Sequence, residues 1–224
     1  MKTSLSKTDS QSGDLGPSKG EVSRDNILRA AAKLATTKGL GGLSIGDLAA
    51  EVGMSKSGLY AHFKSKEDLE LATIELAASI FDYEVVRPAQ PAPAGSQKLR
   101  MLVDSYLTHI KRKVFPGGCF FAAVGMELDT RPGLARDKVV EVQHLWLSLL
   151  RQCFLDAKAI GEIDTGTDVE QAVFETQGML LAANSLFVMS NDPMRLEQAS
   201  KGVEHILARL AIDAEPKKKR STHR

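Results

Sequence analysis

Ser44-Ile45-Gly46-Asp47-Leu48-Ala49-Ala50-Glu51-Val52-Gly53-Met54-Ser55-Lys56-Ser57-Gly58-Leu59-Tyr60-Ala61-His62-Phe63-Lys64-Ser65-Lys66-Glu67-Asp68-Leu69 is the stretch that decides the fold of this chain. Ile45, Leu48, Ala49 and Val52 recur at the spacing of one helix face, and Ser44 with Asp47 three residues on forms a capping box. A short helix is therefore expected from about Ile45 to Val52. Gly53 follows where a left-handed residue ends a helix without steric cost, and Ser55 can cap a new helix two residues later. The intervening turn has the length a helix-turn-helix needs. Small Ala49 lets the two helices cross closely, while Leu59 and Phe63 anchor the second onto the first.

Lys56, Ser57, Gly58, Tyr60, His62 and Lys64 are left pointing outward. Ser55, Ser57 and the helix N-terminus offer donors to phosphate oxygens, Tyr60 and His62 add side-chain donors, and Lys56, Lys64 and Lys66 add charge. Gly58 costs a short helix roughly 1 kcal/mol relative to Ala, which is repaid if another surface approaches the backbone there. The bland alternative, a helical hairpin with a solvated polar face, explains neither Gly58 nor the lysine cluster.

Helix, Ser-Ile-x-x-Leu-Ala-x-x-x-Gly-Met-Ser-x-x-x-Leu-Tyr-x-His-Phe and Lys-Ser-Lys-Glu-x-Leu in that order resemble the N-terminal domain of the tetracycline-repressor (TetR) family of bacterial transcriptional regulators. The resemblance covers about residues 23 to 71. It includes a first helix whose face is Ile27, Ala30, Ala31, Leu34 and Ala35, with Gly39 at its stop. It implies phosphate contacts from Ser44, Lys56, Tyr60, His62 and Lys66, and places Ser55, Ser57 and Gly58 nearest the bases. Leu40-Gly41-Gly42-Leu43 departs from the family, which more often has a bulky residue packing this loop.

Between Glu21 and Glu70, seven Lys or Arg meet seven Asp or Glu, so DNA affinity must rest on where charges sit. Of 224 residues 43% are hydrophobic and 25% charged, enough for a sizeable core. No apolar run approaches the roughly 20 residues that span a bilayer, and Met1 to Lys7 lacks a signal-peptide core. A cytoplasmic protein without a membrane partner is expected. Cys119 and Cys153 are too few for a disulfide framework or a metal cluster and read as free thiols. No paired carboxylates, metal cluster or phosphate-binding glycine loop marks an enzyme, and no cofactor is implied.

Residues 1–22 read as a disordered arm, 23–70 as the helix-turn-helix domain, 71–213 as a larger helical domain and 214–224 as a basic tail around Pro216 to Arg220. The fold class is all-α. Ser65 and Asp68 cap a connecting helix expected to reach about Val86. Ser96 opens the next, and Cys119 to Leu128 reads as a helix buried nearly all round. Pro132 is placed in the first turn of another helix, while Thr167 with Glu170 and Asp192-Pro193 open the last two.

Val173, Leu180, Ala183, Phe187, Val203, Ile206 and Leu210 stripe these last two helices, and the resemblance implies that their hairpin pairs with a second copy. The same resemblance implies an effector cavity among the middle helices. Tyr106, His109, Cys119, Phe120, Glu127, Trp146, Gln177 and Asn184 supply the apolar and sparse polar lining such a cavity needs, although each taken singly reads as ordinary core or surface. The expected function is a ligand-responsive regulator: a homodimer on a palindromic operator, released as a repressor by an unidentified small apolar effector. A helical adaptor without an effector is the alternative.

Overall fold

α1 (Lys19–Lys38) buries Ile27, Leu28, Ala31, Ala32 and Ala35, the stripe its sequence spacing requires. The computed structural model describes residues 19–212, so the expectations for residues 1–18 and for the basic tail lie outside the described residues. The helix starts at Lys19, four residues before the expected boundary of the arm. It stops at Gly39, whose φ of +83° suits glycine and whose N–H donates back to the Ala35 carbonyl.

α2 (Ile45–Glu51) and α3 (Lys56–Tyr60) form the helix-turn-helix. Ser44 Oγ accepts from the Asp47 N–H at 2.9 Å and Ser55 Oγ from the Gly58 N–H at 3.1 Å, while Gly53 turns the chain with φ +67°. Leu48, Ala49, Leu59 and Phe63 are buried between the helices and α1. α3 ends at Tyr60 instead of Phe63, because Phe63 drops into the core and Ser65 already caps α4 (Lys66–Phe81), accepting from the Asp68 N–H.

Beyond Phe81 the connecting helix widens into a π turn, Asp82–Val86, in which the Arg87 N–H reaches the Asp82 carbonyl. Pro88 in the short α5 (Arg87–Ala89) has no N–H to give the preceding turn. α6 (Ser96–Lys111), α7 (Phe120–Leu128), α8 (Leu134–Ala159), α9 (Val169–Ser190) and α10 (Met194–Leu210) complete the chain. Among the described residues the only β feature is an isolated bridge, Ile163 to Ala211, so the fold is all-α.

α6 starts at Ser96 as the sequence expects, whereas the starts of α8 and α9 differ because neighbouring residues take the cap position. Gly95, with φ +93°, precedes α6, and the Ser96 N–H is held by Glu162 Oε2 at 2.7 Å. Gly133, not Pro132, adjoins α8. Asp168 takes the cap of α9 by accepting from the Gln171 N–H, leaving the buried Thr167 hydroxyl without a partner among the described residues. α7 is not buried all round, since Met126 is 75% exposed.

α9 and α10 pack antiparallel around Val173, Thr176, Leu180, Ala183 and Phe187 on one side and Leu196, Ala199, Val203 and Ile206 on the other. Asn191, left-handed at φ +54°, makes their turn. α9 is 22 residues long and apolar enough by length and composition to cross a membrane, contrary to the sequence reading. Packing against α8 and α10 covers one side of it and leaves Phe174, Leu181, Leu186, Val188 and Met189 exposed.

The two domains meet at a close seam along α1. The Gly117 N–H donates to Thr36 Oγ1 at 3.1 Å, and a Cβ on Gly117 would lie 1.9 Å from the Thr36 carbonyl oxygen. Gly117→Ala should therefore force the seam apart and lower stability by about 1–3 kcal/mol, read from urea unfolding. Wild-type stability in that variant would show that the approach is not constrained.

Candidate functional site

Capping by Ser44 and Ser55 fixes α2 and α3 so that Ser44, Ser55, Lys56, Ser57, Tyr60, Lys64 and Lys66 lie exposed, with Gly58 and His62 half-buried. Tyr60 is 57% exposed, a large ring held in water with no aromatic partner among the described residues. A Cβ on Gly58 would meet only Ser55 Oγ at 3.2 Å and Met54 Cε at 3.5 Å, and its φ lies outside the left-handed region. Neither backbone strain nor close internal backbone demands glycine there. What the missing side chain leaves is access to the α3 backbone from outside.

Charge on this face is uneven. Lys56 and Lys64 have no ion-pair partner among the described residues, and Asp47 is drawn to Lys38 at 3.5 Å. Lys66 is engaged internally: its Nζ donates to the Gly41 carbonyl at 2.6 Å and lies 3.7 Å from Glu70. Two residues the sequence reading passed over border the face. Ser23 Oγ stands 3.5 Å from His62 Nε2, and the Arg24 guanidinium sits 5.2 Å over the Phe63 ring. Only the contact between α1 and the turn after α3 reveals them.

The effector candidates divide. Tyr106, Cys119, Trp146 and Gln177 line one inner cavity with Phe81, Phe121, Gln143 and Leu181. Trp146 Nε1 donates to Gln177 Oε1 at 2.8 Å, its ring stacks on Tyr106 with centroids 5.9 Å apart, and Phe81 meets it edge-on at 5.3 Å. The cavity measures only about 30 Å³, room for roughly one water. Burial pushes the Cys119 thiol up and Tyr106 well above the usual phenol value, which favours the neutral form of each. Cys119 and Cys153 are both free and buried. Gln143, polar within an apolar stripe, was the one sequence signal for a missed lining residue.

His109, Phe120, Glu127 and Asn184 do not line that cavity. Phe120 is ordinary core, and Asn184 Oδ1 accepts from the Cys119 N–H at 2.8 Å. His109 is 2% exposed between Phe81 and Phe115, and its Nδ1 has no hydrogen-bond partner among the described residues. Glu127 is a latch: one carboxylate oxygen accepts from the Leu40 N–H at 2.6 Å and the other from the Gly41 N–H at 2.9 Å. It ties α7 to the loop before the helix-turn-helix. That loop, which lacks the family's bulky packing residue, is pinned from above by Glu127 and from beside by Lys66, with Leu40 and Leu43 buried.

The expected dimer residues face the interior of the protomer. Val173, Leu180, Ala183, Phe187, Val203 and Ile206 are buried within the protomer and Leu210 is half-buried, because they hold α9 and α10 together. The exposed apolar residues of α9 are instead Phe174, Leu181, Val188, Leu186 and Met189, with Leu145 and Leu149 of α8 nearby in the same class. Phe174, Leu181 and Val188 recur every seven residues, and Gly178 between them is open to close approach.

Comparison with known proteins agrees with this architecture. The profile of the bacterial regulatory proteins of the tetR family matches residues 27–73, and that of the tetracyclin repressor-like C-terminal domain matches residues 95–203. The HTH-type transcriptional regulator AcrR of Shigella flexneri is 26% identical over 99 residues, covering 42% of this chain and 46% of that protein. The chain thus spans about half the length of the curated relative it matches. A TetR transcriptional regulator from Chloroflexus aurantiacus J-10-FL is 24% identical with TM-score 0.80 over 86% of this chain and 98% of that one. AibR, solved in complex with isovaleryl coenzyme A and operator DNA, is 23% identical with TM-score 0.67 over 84% and 98%.

Burial, with Arg112 as a lesser cause, lowers the His109 pKa from 6.5 to about 4. The unfolded chain takes up this proton as pH falls through about 6.5 while the folded chain refuses it until about 4, so stability is lost on acidification across that window. The loss should total about 3 kcal/mol at pH 4 and be absent in His109→Phe. Unfolding free energies of both proteins at several pH values measure it, and parallel curves would show that His109 is not held neutral.

Proposed function

Because this chain belongs to the tetracycline-repressor family of bacterial regulatory proteins, we propose that it is a DNA-binding transcriptional repressor, dimeric on a palindromic operator and released by a small effector. The family consists of transcription regulators and not enzymes. The observation that carries the DNA reading is the exposed face of α3: Ser55, Ser57, Lys56 and Tyr60 around a side-chain-free backbone at Gly58. In this reading Ser44, Lys56, Tyr60, His62 and Lys64 position the protein on phosphates, while Ser55, Ser57 and Gly58 lie against base edges. Lys66 acts from behind, holding the loop that carries α2. The protein works in the cytoplasm, where its operator lies.

Two α3 helices reach successive major grooves only if a second copy completes the pair. The apolar stripe Phe174, Leu181 and Val188 supports a second copy as its cover, since a protomer leaving Phe174 73% exposed places a large hydrophobe in water. Effector binding has support in Tyr106, Trp146 and Gln177 around the inner cavity. At about 30 Å³ that cavity must open to admit a ligand, against the roughly 300–1,000 Å³ of ordinary ligand pockets. Opening displaces Phe81 at the end of α4, and α4 starts beside α3. AibR supports an acyl-thioester as one class of effector compatible with this fold.

Gly58→Leu should abolish operator binding in a gel shift while leaving the circular dichroism spectrum and dimer intact, and normal binding would overturn the role of that glycine. Lys56→Ala should lower the slope of log affinity against log salt by about one unit, uniformly across sequences. Phe174→Asp combined with Leu181→Asp should sediment as a monomer and lose high-affinity operator binding; a dimer would place the interface elsewhere.

A further inference from the structure

We propose that the groove between α1, the end of α4 and the α6–α7 loop is a second ligand site, one that takes an amphipathic carboxylate at the seam between the two domains. The groove measures about 450 Å³, within the range of small-molecule pockets, whereas the inner cavity is about 30 Å³. Its apolar wall is Leu76 and Ile80 of α4 with Val114 and Phe115 of the loop. Arg29 and Lys33 of α1 stand at its edge.

Charge selects the head group. The Arg29 guanidinium is paired with Asp25 at 2.6 Å, and Glu84, the groove's one carboxylate, is paired with Arg112. Lys33 has no ion-pair partner among the described residues, so the groove carries one uncompensated positive charge beside an apolar trench. A neutral molecule would leave Lys33 unused, and a bare inorganic anion would leave the trench wet. A single negative head on a short hydrocarbon chain satisfies both.

Position gives the site its consequence. Tyr83 and Glu84 line it from the π turn, a feature often found at functional sites. Thr36, one turn along α1 from Lys33, accepts the Gly117 N–H that closes the domain seam, and Phe115 lies two residues before Gly117. A chain lodged here touches both domains at their junction. Phe115 also packs on buried His109, which packs on Phe81 of the inner cavity, so the two sites share one aromatic run.

Titration of the full-length protein with sodium octanoate tests the proposal without operator or effector. One octanoate per chain is expected, with 1-octanol and sodium propionate each roughly tenfold weaker, and Lys33→Glu weakening octanoate by roughly tenfold with an unchanged circular dichroism spectrum. Methyl resonances of Ile80 and Val114 should shift on binding while those of Val142 and Leu181, which line the inner cavity, stay in place. Undiminished octanoate affinity in Lys33→Glu, shifts at Val142 and Leu181 instead, or no binding at millimolar octanoate would each overturn the site. DNA binding is not read at any step, so failure of the operator assignment leaves this outcome distinguishable.

Discussion

Helix α1 has to be buried on more than one side, and the rest of the molecule is arranged around that requirement. Ile27, Ala31, Ala32 and Ala35 are at most 2% exposed because α2, α4 and α7 all pack on this one helix. Its alanines are what allow three helices to approach so closely, since close axial contact needs small side chains at the crossing. The helix-turn-helix is too small to hold α2 and α3 on its own, with 7 and 5 residues respectively. Isolated helices of that length do not persist in water.

The same helix makes α1 the joint between reading head and body. Groups at and just past its C-terminal end are engaged by the larger domain: the Thr36 hydroxyl accepts from the Gly117 N–H, and the Glu127 carboxylate accepts from the Leu40 and Gly41 N–H groups. A charge-assisted pair of hydrogen bonds to two successive N–H groups is among the stronger polar contacts available. α7 is therefore tied directly to the loop that precedes α2. α4 makes a second route, beginning at the Ser65 cap beside α3 and ending in the π turn beside the aromatic run of Phe81, Trp146 and Tyr106.

That aromatic run is also where the interior departs from close satisfaction. His109 Nδ1 lies buried between two phenylalanines with no hydrogen-bond partner among the described residues, and the neighbouring cavity has room for roughly one water. A buried polar atom without a partner and a small void side by side cost stability that a fully apolar packing would not. Proteins retain such imperfection where the packing has to rearrange, and here it adjoins both the inner cavity and the groove beneath α1.

Local chemistry was legible in the sequence wherever a residue acts on its own neighbourhood. Ser44, Ser55 and Ser65 cap α2, α3 and α4 because a hydroxyl three residues before an N–H needs nothing else, and Gly39 and Gly53 turn left-handed for the same local reason. The helical periodicity likewise set the all-α class and the order of the elements. Contacts between residues far apart in the chain were decided by the tertiary structure alone. Glu127 reads as a cavity residue until the fold brings it to Leu40, 87 positions away, and Lys66 reads as a free cation until it meets the Gly41 carbonyl. Val173 and Leu180 share an apolar stripe with nothing in sequence to say whether it faces α10 or a second copy. Periodicity gives the face of a helix, and only packing names its partner.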